Sequence, residues 1–317
     1  MNRISCAFDE LGDKISQQYQ YKSIKHLPLS LYGIITSGFY GNIYAGSADR
    51  YGPRKINTML SNKVKTNMLH SPEKHFIIKL MHDSKYNRRD INRLRKIQPI
   101  LRANICPHFP ILYGVFSVEN IIFHGINGAG VTKVQNITNK VKSGQCVGYF
   151  MENLGHMTLE NYVFWKPQAN ELKQILFQCF VGIYALIKYA HMNHGDFHFK
   201  NIMILKLNKP RTYVYYIDEV KYTIFAKSYI PVIIDINGNQ TGQRINQMKD
   251  IKKLSKQISQ FLPSLWSQCN FDLNYTTVKK FFDNNFGEYK TLKKTISNGI
   301  QISDNLRVHN KNKYTFF

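Results

Sequence analysis

The sequence predicts an α+β protein, and three observations carry that expectation. Up to about Asn153 the apolar residues come in short runs broken by Gly, Pro, Asn and Lys, the pattern of strands and turns. From Leu172 they recur at helical steps instead, through Ile175, Leu176, Cys179, Phe180, Ile183, Leu186, Ile187 and Ala190, which is one continuous helix face. Directly after that face comes the polar segment His194-Gly195-Asp196-Phe197-His198-Phe199-Lys200-Asn201, followed by the strand-like run Ile202-Met203-Ile204-Leu205. An acid and an amide thus share a loop between a helix and a buried strand.

Taken in order, residues 1 to about 30 read as a polar lead-in. Leu31 to Tyr44 holds two apolar runs flanking a turn with Gly38 and Gly41, which predicts a hairpin; glycine there lets a backbone approach a ligand closely. Gly46 to Lys74 is basic and turn-rich, an expected loop insertion. His75 to Met81 is strand-like and embeds Lys79 among Ile and Leu. Such a lysine either meets anionic partners or reaches solvent from a strand edge. Tyr86 to Leu101 has helical spacing at Ile91, Leu94, Ile97 and Leu101, with Asp90 as its sole acid. Two strands are expected around a Gly/Asn/Lys-rich insertion from Gly125 to Gly144, the second running from Gly148 to Leu154 with Met151 inside it.

Beyond the loop, Tyr213 to Ile217 and Tyr222 to Phe225 predict a second hairpin. Pro231 to Ile236 predicts a buried strand ending in Asp235, a position suited to ligating a hard divalent cation. Asn237 is expected in the left-handed conformation, and a plain Asp-Ile-Asn-Gly turn is the alternative. A further helix is marked by Ile245, Met248, Ile251, Leu254 and Ile258. On it Asp250 either braces the backbone of the loop or sits as a surface acid among Lys249, Lys252 and Lys253.

Composition narrows the function classes. The chain has 317 residues, 43% hydrophobic and 13% aromatic, which is globular rather than disordered and large enough for a sizeable core. A net charge of +23 favours anionic partners: nucleotides, nucleic acid, or an acidic membrane or protein surface. Cys6, Cys106, Cys146, Cys179 and Cys269 are odd in number and scattered, so neither a disulfide framework nor a thiolate zinc site is indicated, and an intracellular setting is expected. His191, His194 and His198 lack the Cys/His cluster of a zinc site. No apolar run is long enough to span a membrane, so no transmembrane segment is expected.

The segment His194 to Asn201 resembles the catalytic loop of protein kinases, in the H-G-D-x-H-x-x-N form of aminoglycoside-type phosphotransferases, haspin-like kinases and the divergent Ser/Thr protein kinases of large DNA viruses. Thr36, Gly38, Gly41 and Ile43 match the G-x-G-x-x-G-x-V loop, with Thr36 replacing its first glycine. Lys79 matches the V-A-I-K lysine, and Asp235 the D-F-G aspartate with Ile236-Asn237 in place of Phe-Gly. Asn104 to Gly114 resembles the "CPHFP…YG" turn that viral kinases of this kind carry before their fourth strand.

The resemblance implies a two-lobed protein kinase-like fold: an N-terminal extension over 1–30, a β-rich N-lobe over 31–153 and a mainly helical C-lobe over 154–317. It implies ATP and Mg²⁺ as cofactors and Ser/Thr hydroxyls of proteins as acceptors. Asp196 then takes or orients the hydroxyl proton, and Lys79 neutralises the phosphates. Asn201 and Asp235 hold magnesium, Gly38 and Gly41 close over the nucleotide, and Met151 with the backbone near Glu152 receives the base. His198 stands where a lysine usually touches the γ-phosphate. Gly195 replaces the arginine that grips an activation-loop phosphate, the connection after Asp235 is short, and no A-P-E follows, so no phosphorylation-ordered loop is expected. The helix after Lys79 offers Asp90 where a glutamate belongs, which points toward weak activity or a degenerate lysine clamp, the alternative being that Asp90 only completes the helix's charge pattern. Two rivals follow: a small-molecule phosphotransferase of the same fold, and a pseudokinase or basic nucleic-acid-binding scaffold. A viral relative implies the host cytoplasm or the virion as location.

Overall fold

Runs rich in Ile, Val, Tyr and Phe pair into one mixed sheet at the N-terminal end of a computed structural model. It describes residues 13, 16–18, 20–21, 30–38, 41–47, 75–119, 146–165, 167–238, 249–263 and 278–291. The strands are β1 (Gln20–Tyr21), β2 (Ser30–Gly38), β3 (Gly41–Ser47), β4 (His75–His82), β5 (Leu112–Val118) and β6 (Cys146–Glu152), in the spatial order β1-β5-β6-β4-β3-β2. β1 joins β5 in parallel; the other pairs are antiparallel. The expected hairpin is present, with Gly38 opposite Gly41 at its tip. Nearly all of the first expected insertion, Gly46 to Lys74, and all of the second, Gly125 to Gly144, lie outside the described residues.

The period of two along each strand gives the sheet two faces. Phe76, Ile78 and Leu80 of β4 join Phe116 and Phe150 in the main core, where the rings of Phe76 and Phe150 meet edge to face at 4.4 Å. Met81, Val147, Tyr149 and Met151 pack on the other side against Ile91 of α1 (Lys85–Arg102). Ser84 caps α1 by accepting the Asn87 N–H at 3.2 Å. The helix runs through Pro99 in its last turn and stops where Asn104 turns left-handed, at φ 54°.

The remainder is built on α3 (Ala169–Ala190), which follows the short α2 (Leu159–Phe164). Its expected apolar face is buried throughout, and its ends are polar. Behind it, the rings of Phe177 and Phe180 meet those of Phe281, Phe282 and Phe286, mostly edge to face, from α5 (Val278–Asn285) and just beyond. β7 (Ile202–Lys206) pairs with β10 (Tyr229–Ile233), and between them β8 (Arg211–Ile217) and β9 (Val220–Ala226) form their own hairpin. α4 (Lys249–Phe261) buries Asp250, Ile251, Leu254, Ser255 and Ile258. The class is therefore mixed α+β, as expected. His108 ties the sheet to the rest: wholly buried, one ring nitrogen meets the Pro231 carbonyl at 2.9 Å and the other the Tyr215 hydroxyl at 2.8 Å. Among the described residues no helix is long and apolar enough to cross a membrane.

Candidate functional site

The His194–Asn201 loop begins where α3 ends, with His191 left-handed at φ 51° as the stop. A loop this polar needs partners for its backbone, and helix α4 supplies them. The buried Asp250 carboxylate accepts the N–H groups of His194 at 2.6 Å and Gly195 at 3.1 Å, and Gln257 accepts that of Phe199 at 3.0 Å. Of the two readings open for Asp250, the brace is the one observed. Burial pushes its carboxyl up, against the pull of those two N–H groups.

His194 is buried inside the loop. Its Nε2 lies 2.8 Å from the Ile234 carbonyl, and its Nδ1 accepts the Asp196 N–H at 3.2 Å. A carbonyl on one side and a donor on the other assign the neutral tautomer with hydrogen on Nε2. Burial moves the imidazole the same way, down to about 4. With both nitrogens committed, His194 has no lone pair for a metal.

A second segment is zipped to this loop. Ile234 N–H donates to the Asn201 carbonyl at 3.0 Å, and Asn237 N–H to the His194 carbonyl at 2.8 Å. Gly195, at φ +81°, and Gly238 touch backbone to backbone; a Cβ on Gly195 would lie 2.9 Å from the Gly238 Cα. These contacts require glycine at 195, where the kinase pattern has arginine. They also carry Asp235, exposed and left-handed at φ 54°, to the side of Asn201. The expectation for Asn237 is corrected here. It is Asp235 that takes the left-handed conformation, while Asn237 donates its N–H to the His194 carbonyl.

Asp196 projects from the loop with its side chain 45% exposed. Lys253 of α4 donates to its Oδ1 at 2.6 Å, and His198 Nε2 lies 3.3 Å from its Oδ2. The Lys253 bond holds the Asp196 carboxyl below its ordinary value. Asn201, buried, donates its amide NH₂ to the Asp196 carbonyl at 2.9 Å, so the amide oxygen is the atom left for a hard cation.

Lys79 lies on the sheet face opposite the main core, between Ile43 of β3 and Tyr149 of β6 in register. Its ammonium contacts Asp90 Oδ2 at 3.3 Å; Arg93 holds the other Asp90 oxygen at 3.4 Å. The shorter acid therefore reaches the lysine, loosely. Burial of Lys79 disfavours its charge, but the phenol of Tyr149 and the carboxylates of Asp90 and Asp235 outweigh that and raise its pKa. Burial pushes the Tyr149 phenol up to about 12, so at neutral pH the two carboxylates are the charges that act on Lys79. Asp235 thus couples Lys79 to the loop, and the strand-edge alternative for Lys79 is not what is observed: its side chain is 17% exposed.

The other expected positions divide. Thr36, Gly38 and Gly41 lie on the β2–β3 hairpin, with Thr36 paired to Ile43. Met151 is buried on the Lys79 face. Glu152 is already engaged: its N–H donates to the Ile111 carbonyl at 3.0 Å and its carboxylate accepts the Ile111 N–H at 3.2 Å. Lys253 and Gln257 were not expected from the sequence. Their spacing from Asp250, three and seven residues along one helix face, was the available signal. No protein-family model matches the chain, and no curated protein matches it. Chemically, the cluster joins a charged lysine held by carboxylates, two oxygen donors suited to a hard cation, and an ionised acid open to solvent.

Proposed function

We propose that the chain is an ATP-dependent Ser/Thr protein kinase with a two-lobed kinase-like fold, akin to the divergent kinases of large DNA viruses. The observation that carries this reading is the grouping of Lys79, Asp235, Asn201 and Asp196, which come from three distant stretches of sequence. Lys79 feels the charge of Asp235, whose segment is hydrogen-bonded to the loop holding the other two. The residues fit the cofactor that the resemblance implies. Asn201 and Asp235 offer oxygens for Mg²⁺, and Mg²⁺, when bound, neutralises charge on the phosphates of ATP.

Under this reading Lys79 binds phosphate oxygens, oriented by Asp90 from one side. Asp196, ionised and solvent-facing, receives the acceptor hydroxyl and takes its proton as the new phosphate ester forms. The neutral His194 and the buried Asp250 fix the loop backbone so that this carboxylate does not wander. The basic charge of the chain suits nucleotide phosphates and equally an acidic surface or nucleic acid.

Asp196→Ala should lower phosphoryl transfer to a basic protein by about 10²–10⁴-fold while nucleotide still binds. Asp235→Ala should remove the magnesium dependence of binding. Wild-type levels of transfer by Asp196→Ala would overturn the assignment of that residue. Transfer to an aminoglycoside or choline, but not to protein, would replace the acceptor class. Salt-sensitive DNA binding with no ATP turnover would replace the enzyme reading altogether.

A further inference from the structure

One face of α4 is dedicated to the His194–Asn201 loop. Asp250, Lys253 and Gln257 all contact it, at helical spacing. Two of these contacts account for the loop backbone: Asp250 holds His194 and Gly195, and Gln257 holds Phe199. Lys253 does something different. It reaches past the backbone to the Asp196 side chain, the group assigned above to the acceptor hydroxyl, and binds it at 2.6 Å.

That bond adds little to the fold. Lys253 is 42% and Asp196 45% exposed, and ion pairs so open to water contribute little to stability. Its value lies in geometry and charge. On the other oxygen, His198 Nε2 stands at 3.3 Å, so the carboxylate is held from both sides. In the transfer step the bond from the γ-phosphorus to the bridging oxygen of the nucleoside diphosphate breaks. A bond from that phosphorus to the acceptor oxygen forms, and the hydroxyl proton passes to Asp196. Charge accumulates on the phosphoryl oxygens during this exchange, and a cation beside the acid is well placed to offset it.

We infer that Lys253 is the positioning residue of Asp196, a cation lent to the acceptor side of the site by helix α4 rather than by the loop itself. The inference rests on the kinase reading and assigns one residue within it. It also accounts for His198 at the loop position where a lysine is expected: the cation there is supplied from α4.

The test uses the full chain, with wild type, Lys253→Met, Lys253→Arg, Asp196→Ala and the double variant Lys253→Met/Asp196→Ala, assayed with MgATP and a protein acceptor. Lys253→Met should lower kcat about 30–300-fold with KM for ATP changed no more than about threefold, and Lys253→Arg should recover most of the loss. The double variant should be no slower than Asp196→Ala alone, because Lys253 acts through that acid. Thermal unfolding of Lys253→Met should match wild type, which separates positioning from a folding defect. A Lys253→Met enzyme as fast as wild type, or a double variant showing both losses multiplied, overturns the inference and leaves the kinase reading standing. A wild-type chain that neither binds nor turns over ATP overturns both.

Discussion

The His194–Asn201 loop and the Lys79–Asp90 pair lie on opposite sides of one candidate site and are held in opposite ways. The loop is fixed through its backbone. Asp250 and Gln257 satisfy three of its N–H groups, His194 is locked between two polar partners, and Gly195 presses on Gly238. Lys79 is fixed through side chains, by a contact at 3.3 Å to an acid shared with Arg93 and by the Tyr149 ring, whose centroid lies 5.8 Å from its ammonium. Backbone anchoring sets position to a fraction of an ångström and tolerates little change, whereas side-chain pairing leaves adjustment. Substitutions should therefore be severe on the loop side and mild on the lysine side.

The largest effect is expected at Gly238. A Cβ there would collide with the backbone carbonyl of Asn193, and neither segment can yield without breaking the bonds between Asn237 and His194. Gly238→Ala should cost about 3 kcal/mol or more, read as a fall in the denaturant midpoint. Gly287→Ala is the matched control, since nothing lies within 4 Å of its added Cβ, and it should stay within about 0.5 kcal/mol of wild type. Equal responses from the two would remove the backbone-to-backbone contact from the account.

Next comes acid sensitivity. His194 has its value lowered from 6.5 to about 4 by burial, so the folded chain excludes a proton that the unfolded chain accepts. Its contribution is complete above pH 6.5 and is lost as pH falls toward 4, on the order of 3 kcal/mol in all. The Asp196 carboxyl, held down by Lys253, acts lower, with a loss that begins only near 3.8. Asp250, pushed up by burial, works in the opposite direction. Comparing wild type with His194→Gln from pH 7 to 4 isolates the histidine: the glutamine amide can still donate to Ile234 but does not titrate. Parallel stability curves for the two proteins would show that His194 does not carry the acid loss.

This asymmetry was half legible in the chain. Periodicity marked α3 and every principal strand of the site, because buried faces leave a repeating apolar trace. The resemblance to kinase motifs singled out Lys79, Asp196, Asn201 and Asp235. What escaped was support. Whether Asp250 braced the loop or sat at the surface depended on how α4 docks, and no local pattern encodes docking. Lys253 was hidden among neighbouring lysines, each with the same sequence signature. The left-handed conformation falls on Asp235 rather than on Asn237, although asparagine adopts it readily.

The mildest and most discriminating change lies on the lysine side. At 3.3 Å the Lys79–Asp90 contact is longer than the 2.7–2.9 Å usual for a charge-assisted hydrogen bond. Asp90 projects from a helix whose position is set by Ile91 against the sheet, so the carboxylate cannot advance as a whole. One added methylene would supply the reach. Asp90→Glu should raise kcat/KM for ATP about two- to fivefold under the proposed reading, and Asp90→Ala should lower it about tenfold. Stability should move by less than about 1 kcal/mol in both, because Asp90 is 28% exposed. Should Asp90→Glu fall with Asp90→Ala, the short acid is the fitted one: Arg93 and Lys79 then hold it together at a length that a glutamate overshoots, and the lysine side is as tightly set as the loop.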